Sequence, residues 1–402
     1  MKFLFSHRNF PAQFRHILFE LSKDTSNEIA FITGTQNDIN IKGVNKYLYH
    51  LKREVPKNCH RYLKSFEEAV IHGQSAAEVA ISLKKQGFYP DVIYAHSWGN
   101  SMFLKDVFPN TPHLNYCEWY YNPTGADIGF DGEVLNEDKL ALTKSKNAQL
   151  LIDLVNCDRG ICPTQWQKQQ IPSEFHNKIE VLHDGIDTEY FVPDQNAIFK
   201  IPNSNITLTT NDEVVTYATR GMEPYRGFPQ FMEIAEKLLK RRPNLHIVIG
   251  GEDRVCYGPK LVNTTYKELM LKKCDLDMDR VHFTGGLPYM EYKKLLQISS
   301  VHVYLTYPFI LSWSLLEAMS SGCCVVASDT APVREVIKNN DNGILVDFYD
   351  IDKFVNTIDS LLNDSITSQK LKQKARNTIL SSYNLKSLLP KHIMILKNLS
   401  RK

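Results

Sequence analysis

Short runs of β-branched and aromatic residues alternate with amphipathic stretches from one end of the chain to the other, the pattern of parallel sheets covered by helices. In the first half, Lys2–Ser6, Ile29–Thr33, Asp91–Ala95, His113–Cys117, Arg159–Cys162 and Ile179–Leu182 read as strands. Helices are expected at Pro11–Leu21, Phe66–Lys85 and Asn136–Asn156. In the second of these, Ala69, Val70, Ala76, Val79, Ala80 and Leu83 recur near the helical period. Residues 191–213 turn polar, with two prolines and several Asn and Thr, and read as a linker. The alternation then restarts, with strands at Val214–Thr219, Leu245–Ile249, Val281–Thr284, Val301–Leu305, Cys324–Ser328 and Ile344–Val346. Helices are expected between them at Pro229–Lys240, Tyr289–Ile298, Ser314–Ser320, Val333–Ile337 and Ile351–Leu362. The layout predicts an α/β fold of two facing, Rossmann-like doubly wound domains. The first spans residues 1–195, a linker 196–213, the second 214–380, and a helix over 381–402 is expected to cross back to the first. Ligands sit beyond the carboxyl ends of strands in such sheets, so the site is expected in a cleft between the domains.

The bulk numbers narrow the function. Of 402 residues, 43% are hydrophobic and 23% charged, enough apolar content for two cores. With 47 Lys and Arg against 45 acids, the chain lacks the charge of a nucleic-acid binder. Its cations are unevenly placed. Residues 40–64 carry Lys42, Lys46, Lys52, Arg53, Lys57, Arg61 and Lys64 with Glu54 as their one acid, and Lys370–Lys402 carries cations alone. Two readings stand for such runs: a solvated face, or contact with anionic lipid head groups or a lipid-diphosphate acceptor. The apolar run before His7 is too short for a secretory signal, and no segment approaches eighteen uninterrupted apolar residues. The eight cysteines form no CxxC pair and read as small buried hydrophobes suited to a reducing cytoplasm. The expected location is cytoplasmic, with membrane association at the inner face under the second reading.

Two clusters in the second half carry chemistry. Arg220-Gly221 closes the strand Val214–Thr219, and Arg226-Gly227 precedes a helix, so two guanidinium groups flank a helix N-terminus. That is a clamp for a diphosphate, or else two surface arginines. Thr306-Tyr-Pro-Phe-Ile-Leu311-Ser312-Trp313-Ser314 then leads from a buried strand into a helix carrying Glu317 among apolar neighbours. An unpartnered carboxylate there would be costly. It can accept both hydroxyls of a ribose, or serve only as a helix-dipole carboxylate.

These residues, followed by Ala318-Met-Ser-Ser-Gly-Cys-Cys-Val-Val-Ala-Ser-Asp329, Pro332-Val-Arg-Glu335-Val and Asn342-Gly343-Ile-Leu-Val, closely resemble family-4-type retaining glycosyltransferases of the GT-B fold. His183-Asp-Gly-Ile-Asp-Thr188 resembles that family's turn closing the first domain, and Phe283-Thr-Gly285 a later strand-end turn. Asn9-Phe-Pro-Ala-Gln13-Phe, His96-Ser-Trp-Gly99, Tyr116-Cys-Glu118-Trp-Tyr-Tyr and Gly125-Ala-Asp127-Ile-Gly-Phe-Asp131 resemble one bacterial branch. The likeness runs nearly the whole chain in the family's order. It implies that Arg220 and Arg226 hold the donor diphosphate, Arg226 standing where the family usually has Lys. It also implies that Glu317 binds the ribose and that residues 309–314, with Leu311, Ser312, Trp313 and Ser314, offer backbone N–H groups to the donor.

The sequence departs from the family in three places. The first of two glutamates seven residues apart, which normally touches the donor sugar, is Phe309. Ile310 and Ser312 replace glycines beside it. Cys117-Glu118-Trp119 stands where many relatives carry a histidine near the reacting carbon, and the glycine-rich first loop reads Phe10-Pro-Ala-Gln13. Glu118 and the strand-end His96 are the catalytic candidates, each with a structural alternative. Asn9, Gln13, Asp127 and Asp131 are candidates for the acceptor side, the two aspartates being equally suited to turns. Asp275-Leu-Asp277 precedes a strand, on the wrong edge for a metal site, so no metal or other cofactor is expected. The resemblance implies metal-independent transfer of a hexose-type sugar from a UDP- or GDP-linked donor to a glycan, lipid-linked or protein hydroxyl. A non-catalytic GT-B partner subunit and a nucleotide-sugar epimerase are the rival readings.

Overall fold

The computed structural model describes residues 1–401. They divide into two compact units, residues 1–184 with those from 386 onward, and residues 185–385. The first contains a seven-stranded parallel sheet of β1 (Lys2–Ser6), β2 (Glu28–Thr33), β3 (Val44–Leu48), β4 (Val92–His96), β5 (His113–Tyr116), β6 (Arg159–Cys162) and β7 (Ile179–Val181). Its spatial order is β3-β2-β1-β4-β5-β6-β7, so the winding reverses between β1 and β4. Strand alternation sends Phe3, Phe5, Phe31 and Tyr94 to one face, where they pack with Phe14. Leu4, Ala30, Ile32 and Ile93 go to the other, against Ala76, Ala80 and Leu83 of the helix Lys64–Lys85. Both faces are therefore apolar and covered, as a parallel sheet requires. Leu388, Ile395, Leu396 and Leu399 of the final helix Leu385–Leu399 complete the phenylalanine-rich core, which places the chain's end in the first unit.

The second unit opens with an antiparallel hairpin, β8 (Ile198–Lys200) and β9 (Thr207–Thr209). A six-stranded parallel sheet follows: β10 (Val214–Gly221), β11 (His246–Glu252), β12 (Val281–Gly285), β13 (Val301–Tyr304), β14 (Val325–Ser328) and β15 (Ile344–Val346). Its order is β12-β11-β10-β13-β14-β15, with the reversal between β10 and β13.

Three local expectations change. Residues 196–213 are not a bare linker: Phe199 and Leu208 of the hairpin pack with Val214, Val248, Leu295 and Ile298, and the unit boundary falls at Asp184/Gly185. Only the middle residue of each of these three-residue strands is buried, which is why the composition reads as polar. The helix expected over Asn136–Asn156 breaks at Asn147 into Glu137–Lys146 and Ala148–Asn156. The Asn147 amide faces the chain after β5 instead, accepting from Tyr121 N at 2.9 Å and donating to Tyr121 O at 2.7 Å. The basic stretch contains β3, and four of its cations are engaged. Lys46 donates to the Asn37 carbonyl, Lys52 pairs with Glu78, Arg53 with Glu67 and Arg61 with Asp138. The uncompensated positive face is smaller than the sequence suggests. Among the described residues no helix is long and apolar enough to cross a membrane.

Candidate active site

Each sheet gathers polar side chains where its winding reverses, because the loops leaving adjacent strands there diverge and open a crevice. In the first unit Ser6 of β1 lies beside Ala95 of β4, so the next residue on each strand, His7 and His96, meet with ring centroids 4.6 Å apart. His96 is 1% exposed and its Nε2 lies 3.4 Å from Glu118 Oε2. Gln13 Nε2 donates to the other Glu118 oxygen at 3.2 Å, and Gln167 Nε2 donates to the Glu118 carbonyl at 2.7 Å. Residues at or just beyond the ends of β1, β4 and β6 thus converge on Glu118, which follows β5. Burial, and then neighbouring His96, hold the His7 imidazole well below its ordinary pKa, so it is neutral near pH 7 and its Nδ1 accepts the Asn9 amide at 2.8 Å. The turn after His96 needs Gly99. Its φ is +102°, and a Cβ there would come within 2.8 Å of the Ala69 backbone on the helix Lys64–Lys85.

The sequence candidates of this unit are not all alike. Gln13, His96 and Glu118 are brought together. Asn9 adjoins His7 and also accepts Thr35 Oγ1 at 2.8 Å. Asp127 is buried, whereas Asp131 is exposed and accepts its own neighbour Glu133 N at 3.1 Å, the bond of a turn former. His7 and Gln167 were not singled out from sequence. His7 directly follows an apolar strand, a signal present but weak, while nothing local marks Gln167.

In the second unit Arg220 stands exposed at the end of β10. Arg226 is 7% exposed, its Nη1 donating to Thr306 Oγ1 at 2.9 Å and to the Ile310 carbonyl at 3.0 Å. Its guanidinium lies 5.3 Å from the Tyr257 ring centre, a cation–π contact. Gly227 follows with φ +66°, and a Cβ there would run into Leu305, so the chain turns into the helix Phe228–Arg241 only with glycine. Between the arginines, wholly buried Glu223 accepts the amides of Cys256 and Tyr257, fixing the loop that carries the Tyr257 ring.

The loop 309–314 differs in part from expectation. Phe309 packs edge-on to Tyr225 and Tyr257, at 5.3 and 5.0 Å, as part of an aromatic cluster. Leu311 joins the core beneath. The Ser312 amide donates to Tyr304 Oη at 2.9 Å, and Ser312 Oγ caps the helix Trp313–Ser320 by accepting Ser314 N. Ser312 and Ser314 therefore spend their amides within the protein, that of Ser314 because a serine at a helix start caps it and that of Ser312 on the Tyr304 hydroxyl. The Ile310 and Leu311 amides have no protein partner among the described residues. Glu317 is buried, and its oxygens accept Tyr289 Oη and, at 3.0 Å, Tyr292 Oη. Burial raises its pKa, opposed by the two tyrosine hydroxyls. Tyr190 stacks on Tyr289 at 5.5 Å. The Tyr289-x-x-Tyr292 spacing on one helix face was the signal for these partners. Asp277 accepts Arg280 Nε at 2.7 Å on the edge opposite the arginines, and among the described residues no three His, Cys, Asp or Glu side chains are placed to hold a metal.

A model of the "Glycosyl transferase family 4 group" matches residues 25–191, and one of "Glycosyl transferases group 1" matches residues 202–378. The D-inositol 3-phosphate glycosyltransferase of Corynebacterium efficiens is 24% identical over 202 residues, 50% of this chain and 46% of that protein. The UDP-Gal:alpha-D-GlcNAc-diphosphoundecaprenol alpha-1,3-galactosyltransferase of Escherichia coli is 26% identical over 250 residues, 61% of this chain and 59% of that one. The chain thus matches about half to three fifths of the length of these curated relatives. In fold it is similar to sucrose-phosphate synthase of Thermosynechococcus elongatus, with TM-score 0.74, 16% identity and 99% of both chains covered. It is similar too to HepE of Anabaena, solved with UDP-glucose, with TM-score 0.68, 13% identity and 99% and 100% covered. Taken in order, the two family models account for most of the sequence, and the chain belongs to the GT-B glycosyltransferases, with a family 4 group domain followed by a group 1 domain.

Proposed function

We propose that this protein is a retaining, metal-independent transferase that moves a hexose-type sugar from a nucleoside-diphosphate donor to a hydroxyl of a glycan, lipid-linked or protein acceptor. The observation that carries the proposal is the placement of Arg220 and Arg226 at the switch point of the second sheet, next to the unspent Ile310 and Leu311 amides. As the bond between the anomeric carbon and the diphosphate breaks, negative charge grows on the departing oxygen. Cations and amides already fixed there stabilise the transition state more than the ground state. The departing diphosphate takes the acceptor proton, and the new bond forms on the face it leaves. His96 and Glu118 are assigned to orienting the reacting sugar or acceptor. A uridine donor is the first to try, since the Escherichia coli relative is named for UDP-Gal and HepE was solved with UDP-glucose.

One observation favours the non-catalytic reading: Phe309 fills the place of a glutamate within a closed aromatic cluster. The intact arginine pair weighs against it. Transfer and donor hydrolysis measured with UDP-, GDP- and ADP-linked sugars in excess EDTA decide the matter. Turnover of at least one donor is expected, undiminished by the chelator. Strict dependence on magnesium or manganese would contradict the metal-free mechanism, and conversion of donor without acceptor into another nucleotide sugar would point to an epimerase.

Glu317 offers a separate test. A carboxylate already accepting two tyrosine hydroxyls still has lone pairs for ribose hydroxyls, and it would hold them equally in the ground and transition states. Glu317→Gln should therefore raise the donor KM about tenfold or more with little change in kcat, the scale of a hydrogen bond to a charged group. A fall in kcat at unchanged KM would remove it from the ribose site.

A further inference from the structure

Behind His96 lies a chain of buried polar groups that the reaction as described does not use. Ser101 Oγ is 3.2 Å from the His96 carbonyl and 2.7 Å from Asp153 Oδ1. Ser101 is fully buried and Asp153 is 1% exposed, in the middle of the helix Ala148–Asn156. Asp153 Oδ2 has no hydrogen-bond partner among the described residues. A serine hydroxyl carries one proton. If Asp153 were ionised, that proton would go to the carboxylate, the His96 carbonyl would lose its serine donor, and a charged oxygen would be left buried without a partner. Each of these is costly in a site closed to water. If Asp153 is protonated, its own hydroxyl donates to Ser101 Oγ and the serine proton is released to the His96 carbonyl.

The geometry points to Asp153 as a positioning residue for His96: a carboxyl kept neutral in the folded protein, which aims Ser101 at the His96 carbonyl and so fixes the strand end that presents the imidazole to Glu118. The inference rests on His96 and Glu118 acting in transfer as proposed above. Burial pushes the Asp153 carboxyl up to about 7, opposed only by the Ser101 bond. The titratable groups facing it are Cys117, on the chain after β5, and Cys157, at the end of its own helix. Burial raises both thiols, so they are neutral, and Lys178 lowers them only in part.

The sign of the linkage follows. A carboxyl whose folded pKa lies above its ordinary value of about 3.9 binds more protons folded than unfolded, so its contribution to stability is complete below about pH 4 and is lost as pH rises to about 7. Denaturant unfolding between pH 4.5 and 8.5 should show that decline in the parent protein and a flatter profile in D153N, whose amide donates to Ser101 at every pH. Identical slopes in the two would overturn the neutral carboxyl. Isotope-edited infrared difference spectra of the parent against D153N give a second readout: a protonated carboxyl band present at pH 6 in the parent and missing from D153N is expected, and a difference confined to the carboxylate bands would overturn it as well. For positioning, S101A and D153A should each lower kcat about tenfold, the scale of one lost hydrogen bond, at unchanged donor KM, and D153N should restore it. Wild-type kcat in S101A would overturn the positioning role. If instead His96→Ala itself turns over normally, it is the catalytic assignment of His96 that fails, while the infrared and unfolding results still report on Asp153.

Discussion

Replacing Arg226 by alanine is expected to lower sugar transfer by about a hundredfold or more, the scale for removing one preorganised donor aimed at transition-state charge. The buried position adds a second effect. Arg226 also donates to Thr306 and to the Ile310 carbonyl, so the alanine variant leaves a buried carbonyl short of a donor. A loss of stability of about 1–3 kcal/mol should accompany the kinetic defect. Arg220 separates the two effects, because it is exposed at the strand end. Arg220→Ala should lose turnover on the same scale with an unchanged melting temperature. Arg226→Lys keeps the charge but cannot make both bonds and meet a diphosphate in a fork, so it should recover only part of the rate. Steady-state kinetics with melting curves for the three variants separate chemistry from folding, and near-wild-type turnover in both alanine variants would remove the clamp.

Glu118→Gln should lower kcat by about a hundredfold, the lower end for a positioned acid–base or charge-stabilising group, while nucleoside-diphosphate affinity stays the same. The amide keeps the shape, and its oxygen can still accept from Gln13, so the neighbouring bonds survive. What is lost is the negative charge 3.4 Å from His96. All groups that hold Glu118 come from the first unit, whereas the arginines and Glu317 belong to the second. Calorimetry with the diphosphate alone should therefore show no change, and a wild-type rate in Glu118→Gln would make the carboxylate structural.

The alternation of strands and helices was legible because buried parallel strands leave short apolar runs, as in Phe3–Phe5 and Val325–Ala327. The hairpin β8–β9 and the edge strand β3 were not, since half of their residues face outward and read as loop. Arg220, Arg226 and Glu317 stood out because a charge beside an apolar run demands a reason. Their partners did not. Glu223 looks like any surface acid in sequence, and only the fold shows it bound to the amides of Cys256 and Tyr257, some thirty residues away. The same holds for Gln167 against Glu118. The amides expected from Ser312 and Ser314 are taken by partners within the protein, that of Ser314 by the helix cap at Ser312 and that of Ser312 by the Tyr304 hydroxyl on β13.

The most direct test of the account is release of nucleoside diphosphate from UDP- and GDP-linked sugars by the parent protein and by an Arg220→Ala/Arg226→Ala double variant, with acceptor extracts present and EDTA in excess. The account predicts sustained release from at least one donor by the parent, and a rate lower by about a hundredfold or more in the double variant. A parent protein that binds the nucleotide but releases diphosphate from none of the donors, or a double variant that releases it as fast as the parent, would contradict it.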